Sequence, residues 1–150
     1  MFTFRLEPLI TIRDNELKER QAELAKAYEA QRILEEALKT VEKQLSEGIE
    51  TTRSLTQEGQ KVNVEFLLGI RRQEMFLRAN QEDLIKKMKM VDEEIEQRRN
   101  AVVEANKELK TIEKLKEKNY EEYLEEENKK EVKIMDEIAG NKRTIPKISS

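Results

Sequence analysis

The side chains that could do acid–base chemistry in this sequence are carboxylates that stand in adjacent pairs. Glu121–Glu122 and Asp136–Glu137 are two examples among 32 acidic residues. Such a pair can supply a general acid and a general base only where burial tunes the carboxyl pKa values. Here each pair lies in a run of charged residues, which is typical of a solvated helix face. We therefore interpret the pairs as surface charge and expect no enzymatic activity.

Other residue types that catalysis and metal binding use are missing from the sequence. The chain has no His and no Cys, which excludes an imidazole base, a thiolate nucleophile, a disulfide and the usual zinc clusters. It has no GxxxxGKS/T phosphate loop, no HExxH motif and no EF-hand loop. Its four glycines, at positions 48, 59, 69 and 140, are too scattered to hold a phosphate. We expect no cofactor and no metal.

The elements that carry these charges are two predicted long helices. Within residues 84–112, seam positions recur at alternating intervals of four and three: Leu84, Met88, Val91, Ile95, Arg98, Val102, Ala105, Leu109 and Ile112. This spacing is typical of the seam of a coiled coil, and only Arg98 interrupts it with a charge. A more degenerate seam of the same spacing runs from Ile10 to Leu55. Because a stripe this narrow cannot bury itself, we expect the two helices to pair.

The composition agrees with long, mostly solvated helices. Charged residues make up 41% of the 150 residues and hydrophobic ones 37%. The net charge is only −3, with both signs interleaved. Disordered chains favour a large uncompensated charge, so this charge pattern favours helices over disorder. The longest apolar stretch, Phe66–Ile70, is far shorter than the roughly 20 residues of a membrane span. The N-terminus does not resemble a secretory signal. A soluble, cytoplasmic protein without a transmembrane segment is expected, and the absence of a basic block argues against nucleic acid as a partner.

The predicted fold class is all-α, with two long helices in an antiparallel coiled-coil hairpin over residues 1–139. Helix one spans about residues 7–57 with Pro8 in its first turn, the turn spans about 58–61 with Gly59 as the helix stop, and the longer helix two spans about 62–139. Gly140 is expected to end helix two. Residues 140–150 are expected to form a disordered tail.

A fold at Gly59 pairs residues whose numbers add to about 118. This register places Arg20 opposite Arg98, two like charges that need acids such as Glu94 nearby. It places Gly48 almost opposite Gly69, which predicts a loose seam near the turn. It also leaves residues 113–139 without an intrachain partner. Their apolar side chains predict a docking surface for another protein, and a frayed, solvated helix end is the alternative.

Three motifs stand near the ends of the chain: F-x-F-R-L-x-P-L-I-x-x-R over residues 2–13, E-K-L-K-E-K-x-x-x-E-Y over residues 113–123, and E-x-K-x-M-D-E-I-A over residues 131–139. In this order they resemble the motifs of the FliJ family, the stalk and general chaperone of the bacterial flagellar type III export apparatus. The length, the hairpin and the longer second helix are similar to that family over essentially the whole chain.

The resemblance implies a non-enzymatic stalk similar to the γ stalk of rotary ATPases. Such proteins engage the hexameric flagellar export ATPase, contact the cytoplasmic domain of the export gate membrane protein, and bind export chaperones. The protein would be cytoplasmic and peripherally associated with the cytoplasmic face of the inner membrane at the flagellar base. The alternatives are an escort for export substrates without ATPase coupling, an injectisome or rotary-ATPase counterpart, and a generic dimerising coiled coil.

The resemblance also implies candidate binding residues. The ATPase-binding candidates lie near the two termini: Phe4, Arg5, Leu6, Leu9, Arg13, Glu113, Lys114, Leu115, Lys118, Tyr123, Glu131, Met135, Asp136 and Glu137. The export-gate candidates lie near the turn: Gln44, Phe66 and Ile70. Two of the ATPase-binding candidates, Phe4 and Leu6, precede helix one. There they either close the end of the helix as a hydrophobic staple or form an exposed docking patch.

Overall fold

The computed structural model describes residues 1–57, 59 and 61–144, and these residues form two α-helices and no strand. Helix α1 spans Glu7–Leu55 and helix α2 spans Val64–Thr144. The chain divides into two compact units, one of Lys18–Val103 and one of Met1–Leu17 with the chain from Glu104 onwards. In each unit a stretch of α1 packs against a stretch of α2. The predicted all-α hairpin of two long helices is therefore confirmed.

The first helix begins and ends at recognisable local signals. Its first turn follows backbone hydrogen bonds from Glu7 N to Phe4 O at 3.2 Å and from Leu9 N to Leu6 O at 2.9 Å. It ends at Leu55, two residues before the predicted end. Gly59 follows with φ of 88°, a left-handed conformation that favours glycine. The other half of the predicted turn, at positions 58 and 60, lies outside the described residues.

The second helix begins later and ends later than predicted. Asn63 precedes Val64, and its side-chain oxygen accepts a hydrogen bond from Phe66 N at 3.3 Å, as an N-cap residue does. The expectation that Gly140 ends the helix is wrong, because α2 continues through it to Thr144. A glycine inside a helix costs only about 1 kcal/mol relative to alanine, too little by itself to end a long helix. Residues 145–150, the rest of the predicted tail, lie outside the described residues.

The core of the Lys18–Val103 unit is the predicted seam. Val41, Leu45, Leu77 and Leu84 form one buried cluster, and Leu34, Ala37 and Leu38 pack against it. The predicted α2 seam positions in this unit are all buried or half-buried. The seam also extends towards the start of α2, through Leu77 and Ile70 to Leu67.

The register differs from the predicted one by about one helical turn. Gln31 Nε2 donates a hydrogen bond to Asp92 Oδ1 at 3.0 Å, one turn beyond the predicted Met88. Arg98 Nη1 donates to the backbone carbonyl of Glu23 instead of lying opposite Arg20. The connection over residues 56–63 is longer than the predicted turn, which allows one helix to advance along the other. This shift separates two like charges.

Ion pairs on the helix surfaces contribute little to this packing. Arg32, for example, donates to Glu36 at 2.7 Å and also to Glu29 within the same helix. The hydrogen bond from Arg32 lowers the pKa of Glu29, yet both side chains are exposed to solvent. Exposed pairs of this kind are screened by water and salt. The stability of the unit therefore rests on the apolar seam.

Two glycines near the turn are expected to respond in opposite ways to alanine. Gly48 is helical, and a methyl group added there meets no atom within 4 Å, so Gly48→Ala should stabilise the fold by about 0.5–1 kcal/mol. Gly59 has a positive φ, so Gly59→Ala should destabilise it by about 1–2 kcal/mol. Urea unfolding followed by circular dichroism measures both. A loss of stability with Gly48→Ala would show that the space beside it is not open.

Candidate functional site

The N-terminal residues ahead of α1 pack on α2 in the unit that contains both ends of the chain. The Phe2 ring lies 5.2 Å from that of Tyr120 and 5.5 Å from that of Tyr123. Phe4 is buried, only 6% exposed. Glu7 pairs with Lys116 at 2.8 Å. These contacts cover the face of α2 that continues the seam as far as Tyr123.

This arrangement corrects the prediction that residues 113–139 have no intrachain partner. The prediction is wrong for the stretch up to Tyr123, for two physical reasons. The pairing of Glu7 with Lys116 shows the same one-turn change of register, which carries α1 further along α2. The aromatic ring of Phe2 then adds contacts ahead of the helix. Phe2 and Tyr120 were missing from the candidate residues, and the aromatic pair before Pro8 was the available signal.

The exposed part of α2 begins after Tyr123. Every residue from 124 to 139 is exposed, including five large apolar ones: Leu124, Val132, Ile134, Met135 and Ile138. The four–three spacing of the seam would continue beyond Tyr123 at Glu126, Lys130, Lys133 and Glu137. Because those positions are charged, the seam cannot continue as a dry contact. We call residues 124–139 the terminal surface.

The predicted ATPase-binding residues fall into three groups in the structure. Glu131, Met135, Asp136 and Glu137 lie on the terminal surface, and Arg5, Glu113, Lys114, Leu115 and Lys118 are exposed elsewhere in the same unit. Leu6, Leu9, Arg13 and Tyr123 are half-buried, and Phe4 is buried.

Two of the candidates near the N-terminus are engaged inside the unit. The burial of Phe4 agrees with the staple interpretation and removes its ring from an exposed patch. Arg13 Nη1 lies 3.0 Å from carboxylate oxygens of both Glu16 and Glu108. Phe4 and Arg13 therefore contribute to the packing of the unit, whereas the candidates on the terminal surface are exposed.

Apolar and acidic residues share one face of the terminal surface. Leu124, Glu127, Glu131, Met135 and Ile138 follow one another at intervals of three and four residues, which places them on the same side of the helix. The apolar residues stand at the two ends of this face and the two glutamates at its middle. Such a face can bind a protein surface that offers apolar contacts on either side of basic groups. Among the residues that the structure describes, no three acidic side chains converge as metal ligands.

A groove in the Lys18–Val103 unit brings the three export-gate candidates together. It has a volume of about 330 Å³, and its lining includes Gln44, Phe66 and Ile70 together with Gly48 and Leu77. Gly48 has no side chain to fill this groove. The space beside it is empty, since a methyl group added at Gly48 would meet no atom within 4 Å. Leu45 and Leu77 form its buried floor. We call it the Gly48 groove.

Neither helix contains, within its described residues, a stretch long and apolar enough to cross a membrane.

The chain is similar to known proteins. The family described as Flagellar FliJ protein matches residues 1–142. Among solved structures, CT670 from Chlamydia trachomatis, described as a YscO homolog, matches over 100% of both chains with 20% sequence identity and a TM-score of 0.48. That degree of likeness is too low to transfer a property from one chain to the other. A search of the curated proteins gives no match.

Proposed function

The chain belongs to the flagellar FliJ protein family, and from that membership we propose that it is a non-enzymatic stalk that engages the hexameric export ATPase and links it to the export gate. Membership makes the chain a component of flagellar type III export. The finer roles proposed are binding of the ATPase ring, binding of the cytoplasmic domain of the gate membrane protein, and general chaperone activity in export. The place of action is the cytoplasmic face of the inner membrane at the flagellar base.

The exposed terminal surface is the observation that supports ATPase binding. Leu124, Met135 and Ile138 are large apolar side chains left in water on one face of α2. Full burial of one such side chain is worth about 1.5–3 kcal/mol, so a partner that covers all three gains several kcal/mol. Glu127 and Glu131, between them, would face basic residues of the ring.

The Gly48 groove supports binding of the export gate. A protein partner needs a concave, partly apolar surface for an anchoring side chain, and the groove offers one floored by Leu45 and Leu77. Phe66 is 53% exposed at its rim, where a bound partner would cover the ring. The groove and the terminal surface share no residue, so one chain can hold two partners.

The two bindings are tested by substitutions that separate them. Met135→Asp should weaken the complex with the cognate ATPase hexamer by about tenfold or more, since a carboxylate replaces a buried apolar contact. Phe66→Asp should leave that complex unchanged and weaken binding to the cytoplasmic domain of the gate by a similar factor. Calorimetric titration of the full chain with each partner, together with ATPase turnover, measures both effects.

Met90→Asp is the matched control for Met135→Asp. Met90 lies on the same helix, and both methionines are 70% exposed, so Met90→Asp should change neither complex. A Met135→Asp variant that binds the hexamer and supports turnover like the unsubstituted chain would contradict the proposed ATPase surface.

Other outcomes would favour the alternative functions. A saturable complex with an export chaperone, with no affinity for the hexamer, would favour an escort that acts without the ATPase. A stable dimer or tetramer by light scattering, dissociated by Met135→Asp, would favour a generic dimerising coiled coil.

A further inference from the structure

The start of α2 carries a second apolar stripe, which is exposed. Val64, Leu68, Met75 and Ala79 follow one another at intervals of four, seven and four residues, which places them on one side of the helix. All four are exposed, Met75 to 67%. Phe76, beside Met75, is 71% exposed. We give the name outer face to Val64, Leu68, Met75, Phe76 and Ala79 together with Arg71 and Arg72.

The fold of the unit does not use the outer face. The residues of this stretch that contact α1 or the core, such as Ile70 and Leu77, lie on the opposite side of the helix. None of the outer-face residues lines the Gly48 groove. Single exposed apolar residues are ordinary on protein surfaces, but a contiguous group of them marks a binding site.

A shallow hollow adjoins the outer face. It has a volume of about 300 Å³ and is lined in part by Thr52, Val64, Leu68 and Arg71. An apolar side chain of a partner that lies along the stripe can enter this hollow, which would supply the buried anchor that stable docking needs.

The charge at the centre of the stripe identifies the kind of partner. Arg71 and Arg72 stand between Leu68 and Met75. Arg71 lies 3.4 Å from Glu74 of the next turn. Within the part of the chain that the structure describes, Arg72 makes no ion pair and no hydrogen bond. An exposed guanidinium group on a helix face that also carries apolar residues fits a carboxylate, which it can bind through two parallel hydrogen bonds.

We propose that the outer face binds an amphipathic helix of another protein, one whose apolar residues flank a central Asp or Glu. The apolar residues would pack along Val64, Leu68 and Met75, and the carboxylate would meet Arg72. This surface is separate from the terminal surface and from the Gly48 groove.

The same charges disfavour two other occupants. A second copy of the chain, laid antiparallel on the outer face, would bring its own Arg72 next to this one, and like charges repel. Recognition of anionic lipid uses clusters of four to eight basic residues. Here only two arginines are present, with Glu65 and Glu82 on the same side of the helix.

Two synthetic helical peptides test the proposal. Both carry leucines along one face, and the central residues of that face are Glu in one peptide and Lys in the other. Fluorescence anisotropy with the full chain should show the Glu peptide binding about tenfold or more tightly than the Lys peptide. Met75→Asp and Arg72→Glu should each weaken the Glu peptide by about tenfold or more. Arg72→Glu should also reverse the preference and favour the Lys peptide.

Met90→Asp is again the control and should bind the Glu peptide as the unsubstituted chain does. Circular dichroism confirms that each variant keeps its helix content. Equal binding of the two peptides, or no change with Arg72→Glu, would overturn the proposal. So would binding to phosphatidylglycerol vesicles that depends on Arg72 while the Glu peptide fails to bind. Self-association in sedimentation that Met75→Asp abolishes would instead assign the outer face to a second copy.

Discussion

Leu84→Ala is expected to lower the free energy of unfolding by about 2–5 kcal/mol. Leu84 is buried in the cluster with Val41, Leu45 and Leu77. Removal of its isobutyl group loses the transfer free energy of the buried atoms and leaves a space that two helices can only partly close. The described residues of the unit form one buried apolar cluster along the seam, so few other apolar contacts can compensate for this loss. Urea unfolding of the full chain, followed by circular dichroism, measures the change.

Leu68→Ala is the matched control for that experiment. Leu68 lies on the same helix and is 52% exposed, so its replacement should change stability by no more than about 0.5 kcal/mol. Similar losses from the two substitutions would mean that the described seam is not what holds the helices together.

Phe4→Ala is the second substitution with a large expected effect, and it should act on one unit. Phe4 is buried in the unit formed by Met1–Leu17 and the chain from Glu104 onwards, and truncation of a buried phenylalanine costs about 3–5 kcal/mol. Because residues near a terminus can open without global unfolding, the loss should appear as local opening. Hydrogen exchange of the backbone amides should accelerate in residues 1–17 and 104–123.

The exchange of residues 18–103 should stay close to that of the unsubstituted chain, and this difference is the readout of a local effect. Phe76→Ala, which truncates a phenylalanine on the exposed outer face, should leave the exchange of both units unchanged. Uniform acceleration along the chain with Phe4→Ala would show that the N-terminal contacts stabilise the whole fold and not one unit.

Periodicity made the helices and their buried faces predictable. In a helix, residues three and four apart share one side, so the four–three spacing that contains Leu84 and Ile95 had to become the contact face of α2. The same argument on α1 predicted the burial of Ala27, Val41 and Leu45, and the structure confirms it. Arg98 was expected to need acids such as Glu94, and its Nε lies 2.8 Å from Glu94 Oε1.

The candidate surfaces were predictable only in part, because exposure depends on what covers a residue. Gln44, Phe66 and Ile70 are distant in sequence, and only the packing of α1 on α2 brings them into one groove. Phe4 looked equally suited to packing and to docking, and its burial became apparent only once its surroundings were known. The outer face has a regular spacing of its own, which lies apart from the four–three seam.

The sequence by itself determined that two long helices form and which side of each faces the other, because both follow from spacing within one helix. The tertiary structure decided the register. A four–three seam repeats every seven residues, so a slide of one turn leaves apolar residues facing apolar residues at almost no cost. Specific contacts across the helices select one alignment, such as Arg98 with the Glu23 carbonyl and Glu7 with Lys116. The alignment in turn decides which residues of α2 are covered: Phe2 lies against Tyr123, and residues 124–139 are exposed.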